Sequence, residues 1–318
     1  MRNAFANELL ALADADPRVV MLTGDIGNKL FDKFRAAHPG RFFNCGVAEA
    51  NMMGVAAGLA MTGLLPFVYT IAPFVTTRCL EQIRTDVCYH DLPVTIVAVG
   101  AGLSYAGLGP THHACEDIAF MRALPNMAVI CPGDAWEVRG AMRAALRAPH
   151  PVYLRMGKKG EPVVHDAMPH GFAIGRAITV AEGTSLCLLA TGTMLPEALA
   201  ASSLLQQAGL SARVVSFHTV KPLDEACLAE AFARFSLVAT IEEHSLIGGF
   251  GAAVAEWQID RGGDAPALVR IGVPDAFFKH AGEQEYAREQ LGLAAPQIAA
   301  RLTAAWQQAE ARRTEARR

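Results

Sequence analysis

Residues 94–99 have the sequence Val-Thr-Ile-Val-Ala-Val, a short run of apolar and β-branched side chains without polar alternation. Such a run is typical of a strand that is buried on both faces, as in a parallel sheet covered by helices. Working outward, we predict further strands at Val19–Thr23, Pro66–Thr70, Ala128–Cys131 and Val152–Leu154. Segments of helical period lie between the strands, at Glu49–Met61, Val75–Tyr89, Cys115–Ala123 and Ala135–Ala148. This alternation predicts an α/β domain over residues 1–160.

A second alternating series follows a stretch rich in Gly, Lys, Pro and His, which we predict to be a linker over residues 161–175. The predicted strands of this series are Ser185–Leu189, Ala212–Ser216, Leu237–Ile241 and Ala267–Ile271. Its predicted helices are Pro196–Ala208, Asp224–Phe235 and Gly251–Asp260. The sequence therefore predicts two parallel-sheet α/β domains, the second over residues 176–318.

The composition limits the classes of partner. Apolar residues make up 52% of the 318 residues and charged residues 19%, which is enough apolar material for a large core. The formal net charge of −3 gives no electrostatic reason to expect nucleic acid or an anionic membrane as a partner. The most apolar region, 63–75, contains two prolines and is too short to cross a bilayer. We expect no membrane association.

The seven cysteines are spread singly, and none forms a C-x-x-C pair. That pattern favours reduced thiols over a disulfide framework or a zinc site. Acidic residues occupy the N-terminus where a signal peptide would need an apolar stretch. We therefore expect a cytoplasmic protein.

Glu49 begins a helix that is unusually rich in small residues, with the sequence EANMMGVAAGLAM over 49–61. Small side chains at this density allow a close backbone approach, so we predict that the helix packs against a sheet or a second subunit. A carboxylate in the first turn of a helix can simply complement the helix dipole. Because its neighbours are uncharged, Glu49 also fits a functional carboxylate with a raised pKa.

Several motifs together resemble one enzyme family. Residues 42–54, FFNCGVAEANMMG, resemble the G-[IV]-x-E-x-N-M segment of the pyrimidine-binding domain of transketolases. The resemblance continues through Gly109-Pro110-Thr111-His112 and 121–127, then through 240–251 and 270–275, so it covers nearly the whole chain. The chain is also similar to 1-deoxyxylulose-5-phosphate synthase, especially over 220–224 and 273–275.

The resemblance implies how the chain contacts thiamine diphosphate. In this family a glutamate, here Glu49, hydrogen-bonds N1′ of the aminopyrimidine and so activates the cofactor by proton transfer. An aromatic side chain in a strand-to-helix loop stacks on the same ring, and Phe74 is the matching residue. The loop with Asp25 and Ile26 is implied to lie near the cofactor, at the end of the first strand.

The resemblance also implies a set of substrate contacts. His112 matches the family histidine that contacts substrate oxygens near the reactive carbon, and His113 replaces a glutamine. Arg155 matches the arginine on the phosphate side, although an arginine that ends a strand is often only a solvated cap. Lys29 and Arg2 are expected to add positive charge at the channel mouth.

Two positions depart from the family pattern. Leu108 stands where the family carries an aspartate that contacts a substrate hydroxyl, and Gly100 stands where it carries a histidine that helps to hold a sugar phosphate. These losses of an acceptor and a donor predict an atypical or anionic sugar substrate.

The family's diphosphate motif, G-D-G followed by an asparagine pair, is not found in this sequence. We therefore expect a separate N-terminal transketolase subunit to bind the diphosphate, together with Mg²⁺ or Ca²⁺, in an α2β2 assembly. We predict no metal site within this chain.

The leading hypothesis is a transketolase-like glycolaldehyde transferase, active only with its partner chain and acting on a small-molecule sugar. A first alternative is an enzyme like 1-deoxyxylulose-5-phosphate synthase or the β subunit of a 2-oxo-acid dehydrogenase. A second alternative is a noncatalytic assembly subunit, which the presence of both Glu49 and His112 argues against.

Overall fold

The computed structural model describes residues 1–27, 29–158, 160–262 and 266–316, with side chains as far as Ala311. The first part of the chain forms the strands β1 (Val19–Thr23), β2 (Phe42–Asn44), β3 (Leu65–Ile71), β4 (Thr95–Val99), β5 (Ala128–Ile130) and β6 (Val152–Met156). Its helices are α1 (Arg2–Ala15), α2 (Asp32–Ala37), α3 (Glu49–Met61), α4 (Ala72–Val75), α5 (Leu80–Gln82), α6 (Asp117–Ala123) and α7 (Ala135–Arg147).

The later part of the chain repeats the alternation. Its strands are β7 (Ile178–Ala181), β8 (Leu186–Ala190), β9 (Ala212–Ser216), β10 (Thr219–Lys221), β11 (Leu237–Ser245) and β12 (Ala267–Val273). Its helices are α8 (Leu195–Gln207), α9 (Glu225–Arg234), α10 (Phe250–Arg261), α11 (Gln284–Gln290) and α12 (Ala295–Ala316). The last residues of the predicted second domain, 317 and 318, lie outside the described residues.

The strands form two sheets, as predicted. The first has the order β10-β5-β6-β4-β3-β1-β2 and the second the order β12-β11-β8-β9-β7. Their inner pairs are parallel, but β10 is antiparallel to β5 and β7 is antiparallel to β9. The α/β class is thus confirmed. The two antiparallel edge strands were not predicted, because three or four residues give little periodic signal.

The two sheets are tied together by the chain and by packing. Strand β10 lies between β9 and β11 of the second series in sequence, yet it pairs with β5 at the edge of the first sheet. One cluster of buried apolar side chains contains Val68 and Ile96 from the first sheet, and Leu189 and Phe217 from the second part of the chain. A shared core of this kind resists separation of the two sheets. The predicted boundaries at 160 and 176 stay predictions.

The predicted helix Val75–Tyr89 is broken. It consists of α4, a 3₁₀ turn at Thr77–Cys79, α5 and a π-helical turn at Ile83–Cys88. The hydroxyls of Thr76 and Thr77 donate to the carbonyls of Ala72 and Pro73, each at 2.7 Å. Threonine hydroxyls that bond back to the preceding turn compete with regular helix geometry. The break brings Arg78 beside the start of α3, where it pairs with Glu49.

The cysteines are free thiols, five of them buried and two, Cys45 and Cys227, partly exposed. Burial raises the pKa of Cys131 to about 12. Thiols in such apolar surroundings are inert. In the part of the chain that the structure describes, no helix is long and apolar enough to cross a membrane.

Candidate active site

The predicted site residues follow the carboxyl ends of neighbouring parallel strands of the first sheet. Asp25 follows β1, Glu49 follows β2, Phe74 follows β3 and His112 lies in the loop after β4. In open α/β sheets this edge is where ligands bind. Topology therefore gathers four segments that are far apart in the sequence.

Glu49 is the most buried acid at this edge. Its side chain is 2% exposed, and its Oε2 accepts a hydrogen bond of 2.7 Å from Nη1 of Arg78, which is 45% exposed. A Cβ on Gly24 would lie 3.4 Å from Cγ of Glu49, so the end of β1 passes close to this carboxylate. Arg78 was not among the predicted site residues. It lies 29 positions from Glu49, and the sequence alone does not show that the two side chains form a pair.

An aromatic series links this ion pair to His112. The guanidinium of Arg78 lies 4.3 Å from the centre of the Phe74 ring, and Phe74 contacts His112 edge-on at 5.2 Å between ring centres. Tyr105 contacts His112 at 5.9 Å, and Nζ of Lys158 lies 4.8 Å from the centre of the Tyr105 ring. These contacts join six side chains into one continuous surface, which we call the carboxylate–histidine surface: Glu49, Arg78, Phe74, His112, Tyr105 and Lys158.

The surroundings of His112 favour its neutral form. Burial, followed by the charge of neighbouring His113, lowers the pKa of His112 below its ordinary value. Its Nδ1 lies 2.9 Å from the hydroxyl of Thr111. A neutral imidazole has one donor and one acceptor nitrogen, so it can hand a proton to or take one from a substrate oxygen.

The loop after β1 forms a small polar cavity near the start of α3. Oδ1 of Asp25 accepts from the Asn44 side-chain amide at 2.8 Å, and the Asn44 oxygen accepts from the backbone of Gly46 at 2.9 Å. Asp25 and Lys29 both have positive φ angles, 57° and 66°, which are rare for residues with a side chain. With Ile26 they line a cavity of about 80 Å³. These bonds order the segment that leads into Glu49.

Arg155 has a different environment from the one predicted. It is 2% exposed, and its Nε donates to Oδ2 of Asp117 at 2.7 Å. Its Nη2 donates to the carbonyls of Ala114 and Glu243, at 2.7 and 3.0 Å. A guanidinium engaged in this way is held by other protein groups in this chain, so Arg155 is not a solvated cap, and its phosphate contact stays a prediction. Lys158, three residues later, lies on the carboxylate–histidine surface over the Tyr105 ring.

His113 also points away from this surface. It is buried, its Nε2 lies 3.3 Å from the carbonyl of Ala106, and its ring contacts Phe278 at 6.2 Å. Its contacts are thus with the Ala106 carbonyl and Phe278, and its role as a substrate contact stays a prediction. Leu108, by contrast, is 56% exposed in the turn Ala106–Leu108.

Gly100 is required by a close approach of Tyr105. Gly100 has a φ of +90°, and a Cβ there would lie 2.2 Å from the Tyr105 ring. No larger side chain fits that space. Tyr105, which sequence analysis did not single out, thus occupies the place that a side chain at position 100 would fill.

The residues around Glu49 fit the aminopyrimidine half of thiamine diphosphate. Glu49 offers a buried carboxyl group, Phe74 offers an aromatic face, and the buried hydroxyl of Thr70 has no hydrogen-bond partner among the described residues. This hydroxyl lies 3.3 Å from where a Cβ on Gly24 would stand, at the same strand ends. Within the described part of the chain, no group of three or more His, Cys, Asp or Glu side chains could hold a metal ion.

Comparison with known proteins finds the same family along most of the chain. Residues 1–161 match the family described as "Transketolase, pyrimidine binding domain", and residues 175–298 match "Transketolase, C-terminal domain". The chain belongs to the transketolase family.

Two relatives within the transketolase family are subunits of split enzymes. The chain is 36% identical to a subunit of the apulose-4-phosphate transketolase of Phocaeicola vulgatus, covering 89% of this chain and 90% of that one. It is 37% identical to the 6-deoxy-6-sulfo-D-fructose transketolase subunit SqwH of a Clostridium species, covering 94% and 92%. The chain thus matches such subunits along nearly their whole length.

A solved structure described as "Split gene transketolase, inactive beta4 tetramer" superposes with a TM-score of 0.85 at 39% identity, covering 97% of both chains. The chain is also 37% identical to 1-deoxy-D-xylulose-5-phosphate synthase of a Synechococcus species, but it spans only 46% of that longer protein. The predicted resemblance to both branches is confirmed. In length and domain content the chain is similar to these subunits of transketolase-family enzymes.

Proposed function

We propose that this subunit, once joined by a diphosphate-binding partner, transfers a two-carbon ketol unit from a ketose to an aldehyde or aldose. The observation that carries the proposal is the carboxylate–histidine surface, which joins Glu49, Phe74 and His112 along one sheet edge. A noncatalytic subunit would have no need for a buried carboxylate, an aromatic face and a neutral histidine in contact.

Bound thiamine diphosphate would supply an acidic ring carbon that adds to a ketone carbonyl. Glu49 would hold a proton against N1′ of the aminopyrimidine, and its 2% exposure keeps water from competing for that bond. Phe74 would fix the orientation of the pyrimidine ring by stacking. His112 would hold or pass a proton at the substrate oxygens nearest the bond that breaks.

The partner is inferred to be a diphosphate-binding, α-type subunit in an α2β2 assembly. Relatives of matching length are named as subunits, and the related split structure of β chains is described as inactive. On this chain the surface around the start of α3 carries exposed apolar side chains: Val47, just before the helix, is 78% exposed, and Val55, on the helix, is 42% exposed. An apolar face beside the site fits a subunit contact. Magnesium or calcium would be held mainly by the partner.

The substrate is inferred to be an anionic sugar of an unusual kind. Leu108 offers no hydrogen bond to a substrate hydroxyl, and Tyr105 fills the space beside Gly100. Lys158 leaves a positive charge at the open end of the carboxylate–histidine surface. Steady-state kinetics with a panel of ketose donors tests this inference. Finding xylulose 5-phosphate with ribose 5-phosphate as the best pair would contradict it.

A second candidate is synthesis of a deoxyketose phosphate from a 2-oxo acid, favoured by the 37% identity to 1-deoxy-D-xylulose-5-phosphate synthase. The two reactions differ in one product. Release of carbon dioxide from pyruvate would support the second candidate, whereas ketol transfer releases none.

The decisive experiment is calorimetric titration of thiamine diphosphate with Mg²⁺ into the purified chain, with light scattering to measure its mass. The same titration is then made after the diphosphate-binding subunit has been added. We expect tight, metal-dependent binding only in the two-subunit sample. Tight binding by this chain alone would mean that it holds the diphosphate itself, and the split-site proposal would have to be abandoned.

A further inference from the structure

The loop that carries His112 is closed at its base. Gly102 and Ala114 form an isolated antiparallel bridge, with N···O distances of 3.1 and 2.8 Å. Just before the bridge, the amides of Gly100 and Ala101 both donate to the carbonyl of Met156, at 2.9 and 2.8 Å. Residues 102–114 therefore form a compact loop with fixed ends, which we call the His112 loop.

A carboxylate from the second sheet enters the base of the His112 loop. Glu243, near the end of β11, is 1% exposed, and its Oε1 accepts from the amide of Leu103 at 2.6 Å. A Cβ on Gly102 would lie 2.5 Å from this Oε1 and 2.6 Å from the Glu243 carbonyl oxygen. Only glycine at position 102 leaves room for Glu243 to approach the loop backbone this closely.

Two side chains of α11 hold Glu243 from its other side. Gln284 donates to Oε1 at 2.8 Å and lies 3.4 Å from the hydroxyl of Ser104 in the His112 loop. Arg288 pairs with Oε2 and also donates to the carbonyl of Thr193 at 3.2 Å. Burial opposes the charge of Arg288, but the adjacent Glu243, together with the charges of Glu197 and Glu285, outweighs burial and raises the pKa of the arginine. Charge-assisted hydrogen bonds of this kind are the strong ones.

Arg155 ties the other end of the loop to the same residue. Its Nη2 donates to the carbonyl of Ala114, which ends the His112 loop, and to the carbonyl of Glu243. The backbone amide of Ser245 donates to the carbonyl of Cys115 at 2.7 Å, one residue beyond the loop. Side chain and backbone around Glu243 thus hold both ends of the loop.

We propose that Glu243 is a positioning residue that fixes the His112 loop from the second sheet, so that the second domain sets the geometry of the catalytic histidine. The proposal rests on the proposed function for the role of His112, whereas the clamp itself can be tested without activity. A carboxylate is suited to this task because it accepts the loop amide with one oxygen while Arg288 balances its charge.

The first test is hydrogen exchange of peptides that span residues 103–113, in the full-length chain. We expect Glu243→Ala to speed exchange across this segment by roughly tenfold or more, because the Leu103 amide loses its acceptor. Glu243→Gln keeps an oxygen for that amide and should restore near-native exchange in the loop, although it loses the charge that faces Arg288. The matched control is Glu242→Ala.

Glu242 is a fair control because it is as buried as Glu243 but serves another element. Its oxygens accept from the amides of Phe250 and Gly251, at 2.6 and 2.8 Å, where α10 begins. Its replacement should leave exchange in the His112 loop unchanged. If Glu243→Ala does not fold, Gln284→Ala removes one of the groups that hold Glu243 and should raise loop exchange by a smaller factor.

The second test uses His112 as a reporter. Its pKa, measured by NMR with His112→Asn for assignment, is expected to rise toward the ordinary value in Glu243→Ala, since a released loop exposes the ring. In the assembled enzyme, kcat should fall at least roughly tenfold in Glu243→Ala, while Glu243→Gln recovers most of it. Unchanged loop exchange and unchanged His112 pKa in Glu243→Ala would overturn the proposal. If exchange in the His112 loop changes in Glu243→Ala but the wild-type enzyme has no transferase activity, the positioning role stands and the proposed function is contradicted.

Discussion

The carboxylate of Glu49 and the guanidinium of Arg78 are joined by a 2.7 Å hydrogen bond, in which the acid is buried and the base is half-exposed. The pair links the first residue of α3 to a turn that would lie inside a regular helix if Thr76 and Thr77 did not break it. Arg78 also covers Phe74. A broken helix thus gives the buried carboxylate its counter-charge.

Replacing Glu49 by Gln should lower kcat of the assembled enzyme by about 10²- to 10⁴-fold, the range expected when a proton-transfer group is lost. The fold should persist, because the side chains are nearly equal in size. Circular dichroism and steady-state kinetics check both expectations. The matched control is Glu81→Gln, at an exposed residue on α5. Full activity of the assembled enzyme with Glu49→Ala would support the alternative that this chain is a noncatalytic subunit.

Replacing Arg78 by Met should destabilise the chain by about 1–3 kcal/mol, because the buried Glu49 carboxylate loses its partner. Urea unfolding of the chain alone measures the effect. Arg84→Met, at a second arginine of the same broken helix, should change stability little. An equal loss in both variants would contradict the role of the ion pair.

Replacing Lys158 by Met should raise KM for an anionic ketose roughly tenfold or more, since one charge-assisted contact is lost. The effect on a neutral ketose of the same length should be small. Lys158→Arg should recover most of the affinity, and Lys33→Met on α2 serves as the control. An equal rise in KM for neutral and anionic donors would show that Lys158 does not contact the anionic group.

Placing a charge on the outer face of α3, as in Val55→Asp, should prevent assembly with the diphosphate-binding subunit while the chain itself stays folded. Val55 is 42% exposed, so the aspartate is solvated in the isolated chain but would be desolvated in a contact. Light scattering of the mixed subunits measures the loss. Ile259→Asp, at a 77% exposed residue on α10, is the control, and assembly by both variants would place the contact elsewhere.

The segment after β6 is fastened by a pH-sensitive pair, His165 Nε2 and Glu137 Oε1, at 2.9 Å. Burial alone would lower the pKa of His165, but the bond to Glu137 and the negative charges of Glu137, Asp134 and Asp166 together outweigh burial, so the pKa of His165 is raised. Burial likewise opposes the charge of Glu137, but the bond to His165, the charge of His218 and the bond from the Gly133 amide together outweigh burial, so the pKa of Glu137 is lowered. The raised pKa of His165 stabilises the folded chain fully at pH values below 6.5, the ordinary pKa of histidine. The lowered pKa of Glu137 stabilises the folded chain at pH values above 4.5, the ordinary pKa of glutamate.

The pair should therefore contribute most between these two values and lose its contribution as pH rises through the folded pKa of His165. We expect His165→Gln to cost about 1.5–3 kcal/mol near pH 5.5 and clearly less at about pH 9. Thermal unfolding at both pH values measures the difference. The control is His170→Gln, at an exposed histidine of the same segment, which also loses an imidazole ring. A loss of stability in His165→Gln that does not vary with pH would contradict the ion pair.

Much of the site could be predicted because its signals are local. Glu49 at the head of a small-residue helix and the apolar runs of β1 and β4 are features of neighbouring residues, and the structure has both strands and the helix at these positions. The short edge strands and the broken helix after Phe74 could not be predicted in this way. Their form depends on threonine bonds and on pairing across the sheets.

The sequence by itself determined the α/β alternation, the family and the candidate carboxylate and histidine, because periodicity and motifs are properties of adjacent residues. Tertiary structure alone decided that Arg78 faces Glu49, that Arg155 is buried, and that Glu243 holds the His112 loop. Each of these contacts joins residues between 29 and 140 positions apart. Burial and counter-charge are set by what the fold brings near, so a buried arginine and an exposed one look the same in sequence.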